Sequence, residues 1–240
     1  MAAGKAGAGA GVEWFKVGWE IFKTNGLVWV LITLVLFVVA MALQFVPVIG
    51  GIAFMVILPV LISAMFRIAA GDEPPEIGSL LRAFQDARRR TPLMLLGLIL
   101  FAVSLGLSLT IGLALFGSMA DLVVPGAEPD PQVLIDHLFR PANLVLLLVL
   151  ILVQLVVGFG FLFAVGLVTF DGAAPVTAFG DGLKGAFSNL LPLIVFGVIY
   201  TVLAIVAAIP FGLGFLVLVP VTMLAGYRAY RDLFGAQITA

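Results

Sequence analysis

Cysteine is absent from this 240-residue chain, histidine occurs once, at His137, and only 10% of residues are charged. Without thiols there can be no disulfide, Fe–S cluster or thiolate metal site. A single imidazole argues against a haem or a polyhistidine metal centre. The low charge is the most telling absence, because soluble domains carry about a quarter of their residues as Asp, Glu, Lys or Arg. Hydrophobic residues instead make up 63% of the chain, and its mean hydropathy is +1.27. An all-α integral membrane protein is expected, with the bilayer as its principal partner and no nucleic acid. Chemistry is also missing from the pattern: no Ser, His and Asp arrangement and no phosphate-cradling glycine loop is present. No ionisable residue falls near the middle of an apolar run, where proton relays and ion-coupled carriers place one despite its cost. Neither a catalytic residue nor a cofactor or metal site is therefore expected.

What is present is apolar sequence divided by prolines and glycines. Residues 1–11, nearly all Ala and Gly, read as a disordered tail without the compact apolar core of a secretory signal. Between Val12 and Asn25, Trp14, Phe15, Trp19, Ile21 and Phe22 share one helical face while Glu13, Lys16, Glu20 and Lys23 share the other. Such a helix suits the membrane interface, with Trp14 and Trp19 as anchors at headgroup depth. Six spans follow within a single domain over 12–234, at about 26–45, 48–69, 93–119, 143–169, 190–209 and 211–230, ahead of a tail at 235–240. Short Pro- and Gly-containing connections pair the spans as three hairpins, each preceded by an amphipathic helix. The second of these helices carries Ile77, Leu80, Leu81 and Phe84, with Ser79 as its N-cap and Arg88, Arg89 and Arg90 at its end. Val176, Phe179, Leu183 and Phe187 mark the third.

The plan repeats. Pro59-Val60 and Pro220-Val221 each stand eight residues before an arginine, Arg67 and Arg228, and Pro47 and Pro210 occupy the matching turns. Residues 12–69 and 176–232 are the clear copies and 77–170 a looser one, which predicts a parallel repeat and a pseudo-threefold bundle. Ser104, Ser108 and Gly112 form a small-residue stripe on the third span, and Gly160 and Ala164 on the fourth, both suited to close helix packing. Gln44, Ser63, Thr110, Gln154, Tyr200, Thr201 and Thr222 read as intramembrane hydrogen-bonding groups before they read as a polar path. With six spans, Lys5, Lys16, Lys23, Arg67, Arg82, Arg88, Arg89, Arg90, Lys184, Arg228 and Arg231 fall on one side, leaving only Arg140 opposite. Both termini are then cytoplasmic. Topology marking is the simple reading of the Arg88–Arg90 run; the sharper one is contact with an anionic headgroup, each basic residue contributing about 1 kcal/mol. The acidic loop around His137, with Asp121, Glu128, Asp130 and Asp136, reads as solvated and not as a cation site.

Four segments carry a resemblance: Gly18-Trp19-Glu20-Ile21-Phe22-Lys23-Thr24-Asn25; Pro47-Val48-Ile49-Gly50; Gly71-Asp72-Glu73-Pro74 with Leu80-Leu81-Arg82-Ala83-Phe84; and Tyr227-Arg228-Ala229-Tyr230-Arg231-Asp232-Leu233-Phe234. Together they resemble a family of six-span proteobacterial inner-membrane proteins that has no assigned activity. The resemblance implies a bacterial cytoplasmic-membrane location and a fold, but no reaction. More distantly, the plan is similar to the membrane domain attached to some glycerophosphodiester phosphodiesterases, whose soluble catalytic domain has no counterpart here. Two functions are compatible: a non-enzymatic accessory or scaffold protein packing against membrane proteins or lipids, and a carrier or channel for a small or lipidic solute.

Overall fold

The computed structural model describes residues 3–119, 132, 135, 136 and 139–235. Helices account for the regular structure among these residues: α1 (Ala10–Thr24), α2 (Gly26–Gln44), α3 (Ile49–Ala70), α4 (Gly78–Gln85), α5 (Ala87–Met119), α6 (Pro141–Asp171), α7 (Pro175–Ser188), α8 (Leu190–Ala208) and α9 (Phe215–Phe234). Five are long and apolar enough to cross a bilayer, over Gly26–Gln44, Ile49–Ala70, Ala87–Thr110, Pro141–Asp171 and Leu190–Ala208. The helix expected as a sixth span, α9, is not among them, because Arg228, Arg231 and Asp232 interrupt its C-terminal half. The chain is an all-α, multi-pass membrane protein. The acidic loop over Asp121, Glu128, Asp130 and His137, and residues 236–240, lie outside the described residues.

Local chemistry sets the helix ends. Gly71 (φ +84°) and Gly172 (φ +63°) terminate α3 and α6 in the left-handed conformation that glycine adopts without a Cβ penalty. Pro47 and Pro210 are each followed by a non-glycine residue of positive φ, Val48 at +64° and Phe211 at +53°. A β-branched residue in that region is a backbone outlier; at Val48 it closes a tight turn in which Ile49 N–H donates to Pro47 O at 2.7 Å. Just beyond, Gly50 packs directly on the Leu43 carbonyl, and Gly214 packs on Ala207 with slightly more room. Both turns therefore depend on a glycine that lets the returning helix touch the outgoing one.

The core lies at one end of the molecule. The C-terminal halves of α3, α6 and α9 meet there: Thr169 Oγ1 donates to Ser63 Oγ at 2.9 Å, and Tyr230 Oη donates to Asp171 Oδ2 at 2.9 Å. Phe66 and Phe170 flank Tyr227, with ring centroids 5.4 and 6.0 Å away. Gly166 makes room for the Tyr230 ring and Gly226 for Leu162. At the other end the side chains of Phe37, Met41, Leu109, Leu144, Leu148, Val202, Ile205 and Ile209 are exposed. A soluble protein would not leave that much apolar surface uncovered; hydrocarbon is its natural solvent.

The amphipathic helices pack on the core while leaving apolar residues such as Trp19, Leu81 and Val176 exposed. Helix α7 folds back on α6, with Gly182 on the Gly160 carbonyl and near Ala164 N, and Leu183 over Gly160. Helix α1 runs antiparallel to α9: Gly4 N–H donates to Leu233 O, Trp14 reaches Asp232, and Gly18 meets the backbone of Val221 and Ala225. The short α4 packs beside the end of α3, burying Leu80. Residues expected in a free N-terminal tail are docked: Asn189 Oδ1 accepts from Ala6 N–H at 2.8 Å, and its Nδ2 donates to Gly4 O at 3.0 Å and Gly185 O at 2.9 Å.

Candidate functional site

The described residues contain no grouping of three or more His, Cys, Asp or Glu side chains able to hold a metal ion. A pocket of about 590 Å³ lies where α1 gives way to α2 and α3 gives way to its following loop. One wall is Ile21, Thr24, Asn25 and Trp29; the other is Ile68 to Pro75. The volume lies within the range of small-molecule sites, about 300–1,000 Å³. Its depth in the membrane follows from its walls, since Trp29 belongs to the first turn of one apolar helix and Ile68, Ala69 and Ala70 to the last turn of another.

The breaks that shape this pocket are written in its residues. Asn25, at φ −144° and ψ 47°, ends α1 by donating its N–H to Phe22 O and begins α2 by accepting from Trp29 N–H. Gly71 turns the chain out of α3, after which the N–H groups of Asp72 and Glu73 both donate to Arg67 O at 2.9 and 3.3 Å. Glu73 anchors the loop through its side chain, pairing with Arg67 Nη2 at 2.9 Å and Arg82 Nε at 3.1 Å. Arg82 also bonds Glu76 at 2.8 Å and Ser79 Oγ at 2.6 Å, and hydrogen bonds from Glu76 and then Glu73 raise its pKa above the ordinary arginine value. Ser79 is not the helix cap its position suggested: it lies within α4, and its hydroxyl donates to Pro74 O at 2.6 Å. Charge in this loop is thus internally matched, apart from Asp72, whose side chain has no ion pair or hydrogen bond among the described residues.

Glu73→Gln removes the charge that both arginines share while keeping the side chain's shape. We expect hydrogen exchange at the Asp72 and Glu73 amides to accelerate several-fold, with the interior of α3 unchanged. Equal exchange in the variant would mean that the two amide bonds to Arg67 O hold the loop by themselves.

The other residues singled out by sequence fall in different places. Trp14 faces protein and not the membrane surface: it is 1% exposed and its indole Nε1–H donates to Asp232 Oδ2 at 3.0 Å. Trp19 is 44% exposed and stacks on Phe22, with centroids 5.3 Å apart, so it remains on the outside of α1. Gly160 and Ala164 are buried, but the helix they admit is the amphipathic α7 and not another span. Ser104 is half-buried and Ser108 exposed, while the side-chain surroundings of Gly112 lie outside the described residues. Arg88, Arg89 and Arg90 do not end the amphipathic helix. Asp86 breaks the chain after α4, accepting from Arg88 N–H at 3.0 Å, and the three arginines form the first turn of α5. There they face the positive end of the helix dipole, partly offset by the Arg89–Asp86 pair at 3.4 Å and the Arg90 bond to Phe84 O at 2.9 Å.

The residue missed by sequence reasoning is Trp29. It is 2% exposed, and its indole N–H is the buried side-chain polar atom that finds no partner among the described residues. Only its place beside the α1–α2 break, one turn after Asn25, hinted at a role. No protein-family model, curated protein or solved structure matches this chain.

Proposed function

We propose that this chain is a non-enzymatic accessory protein of a bacterial inner membrane, packing against membrane-protein partners or lipids through its apolar end and its basic face. The observation that carries the reading is where its polar intramembrane side chains point their bonds. Thr110, Thr201 and Thr222 each donate to the carbonyl four residues earlier in their own helix, at 2.8 Å in all three cases. Gln154, Ser108 and Tyr200 lie on the exterior. Groups that would line a conduit are thus dispersed or already satisfied, which favours assembly over a carrier or channel.

In this reading α9 is the sixth crossing, its charged C-terminal turns held at the cytoplasmic surface beside α1, and both chain ends are cytoplasmic. Three hairpins form a parallel repeat. Its support is that α7 packs on α6 and α1 on α9, as if each amphipathic helix docked on the second span of the unit before it and the first unit closed the ring. The paired positive-φ residues after Pro47 and Pro210 point the same way.

The test combines mild-detergent purification from native membranes with a solute-flux screen in proteoliposomes. A stoichiometric membrane-protein partner and flux equal to empty vesicles are expected. Purification alone as a monomer or homo-oligomer, together with saturable flux, would replace the accessory role with the carrier reading.

A further inference from the structure

We infer that the pocket between the α1–α2 break and the α3–α4 loop is a binding site for a phosphate ester bearing a primary amine, namely the phosphoethanolamine headgroup of a membrane phospholipid. The two walls offer opposite electrostatics. On one side the start of α2 presents the positive end of a helix dipole and backbone N–H groups that have no carbonyl to meet within the helix. Thr24 and Asn25 lie at that start, and Trp29 follows one turn later. The Trp29 indole N–H is an unmatched donor sealed within protein, a situation that costs about 1–3 kcal/mol. In the inferred complex the indole edge, closed to solvent in the free protein, turns to meet a phosphate or ester oxygen entering beside Asn25.

On the opposite wall the end of α3 presents the negative end of its dipole, with Ala69 and Ala70 in its last turn, and Asp72 stands just beyond it. Glu73 is committed to Arg67 and Arg82, so it neither competes for a cation nor leaves those arginines free to neutralise Asp72. An ammonium with three N–H donors matches a carboxylate and helix-terminal carbonyls. A trimethylammonium group has no N–H to give, and a glycerol headgroup has no cation. The site should therefore rank an ethanolamine headgroup above choline and glycerol ones.

Depth argues for a lipid. The pocket is bounded by the beginning of one apolar helix and the end of another, the level at which headgroups lie, and Ile21 and Ile68 add apolar wall for the glycerol end of the ligand. This inference needs the membrane location but not the accessory role, and failure to recover a protein partner leaves it untouched.

The experiment uses the full chain in detergent micelles, with short-chain phosphatidylethanolamine, phosphatidylcholine and phosphatidylglycerol as probes and native mass spectrometry or calorimetry as readout. Wild type should bind the ethanolamine lipid at least about tenfold more tightly than the other two, a difference of about 1.4 kcal/mol. Asp72→Asn should abolish that preference, and Trp29→Phe should weaken all three lipids while keeping the order. Asp72 is exposed in a loop, so its variant tests the idea even if Trp29→Phe unfolds. Equal binding of the three lipids by wild type, or an unchanged preference in Asp72→Asn, overturns the assignment. Free phosphoethanolamine should compete at least about 100-fold more weakly than the lipid, the equivalent of about 2.7 kcal/mol; equal potency would make the ligand a soluble metabolite and overturn the lipid source.

Discussion

Gly18→Leu should detach α1 from the rest of the protein. A Cβ at this position would stand 2.7 Å from both Val221 O and Ala225 N and 3.0 Å from Ala225 Cα, all backbone atoms of α9. A side-chain neighbour could rotate away, but a helix backbone cannot, so the two axes must separate. Separation then costs what close approach had assembled. Trp14 loses its bond to Asp232, Phe15 leaves the Phe196 ring 4.2 Å away, and the buried face of Gly11, Trp14, Phe15 and Phe22 opens. Deleting or exposing one large core side chain costs about 3–5 kcal/mol, and here several move together. A loss of at least about 3 kcal/mol is expected, read as a lower unfolding midpoint and as proteolysis within residues 10–24 under conditions where wild type resists. Gly18→Ala, adding one methyl, should fall between the two, in the 1–3 kcal/mol range of an overpacked contact. A Leu variant with wild-type stability would mean that α1 is not seated against α9.

Asn189→Ala should release the N-terminal segment. This side chain is 2% exposed and makes three hydrogen bonds, accepting from Ala6 and donating to Gly4 and Gly185, so it joins the start of the chain to the α7–α8 break. Alanine removes all three, leaving the buried Gly185 carbonyl and the half-buried Ala6 and exposed Gly4 backbone groups without these mates. An unmatched buried group costs about 1–3 kcal/mol. Water can reach the segment once it lifts, so a net loss of about 2–4 kcal/mol is expected, in the upper part of the range for single substitutions. The specific readout is amide exchange at Ala6, which should rise towards the rate of an unstructured peptide while the interior of α6 stays protected. Protection of Ala6 in the variant would show that the Gly4 N–H bond to Leu233 O docks the segment unaided.

Particular elements show how far the sequence could be read. The period of apolar residues in Val12–Asn25 locates α1 and, in Trp14, Phe15 and Phe22, part of its buried face, while Trp19 of the same stripe stays exposed; apolarity is the same signal whether the covering material is lipid or protein. The partner that decides the matter for Trp14 is Asp232, 218 positions away. For the same reason the Gly160 and Ala164 stripe is visible as a place of close approach while the identity of the approaching helix is not. From sequence, Arg88–Arg90 reads as the end of the amphipathic helix, because Asp86 can sit inside a helix as well as break one. Its side chain caps the following turn, and that fixes the arginines at a helix start. The prolines of the two outer turns are plain in the sequence, whereas the positive φ of Val48 and Phe211 is not, since neither residue type favours it.

Composition and period settled by themselves that this chain is helical and lives in a bilayer, because length and apolarity of a run are local properties and the hydrocarbon imposes internal hydrogen bonding on whatever crosses it. They also set the helix punctuation at Asn25 and Gly71. Tertiary structure alone decided that the amphipathic helices seal a protein core, that the first residues are docked, and that Trp29 borders a two-signed pocket. Those outcomes depend on which surfaces meet between elements separated by about 20 residues, as for Gly160 and Gly182, up to 218, as for Trp14 and Asp232, and no local pattern of side chains carries that information.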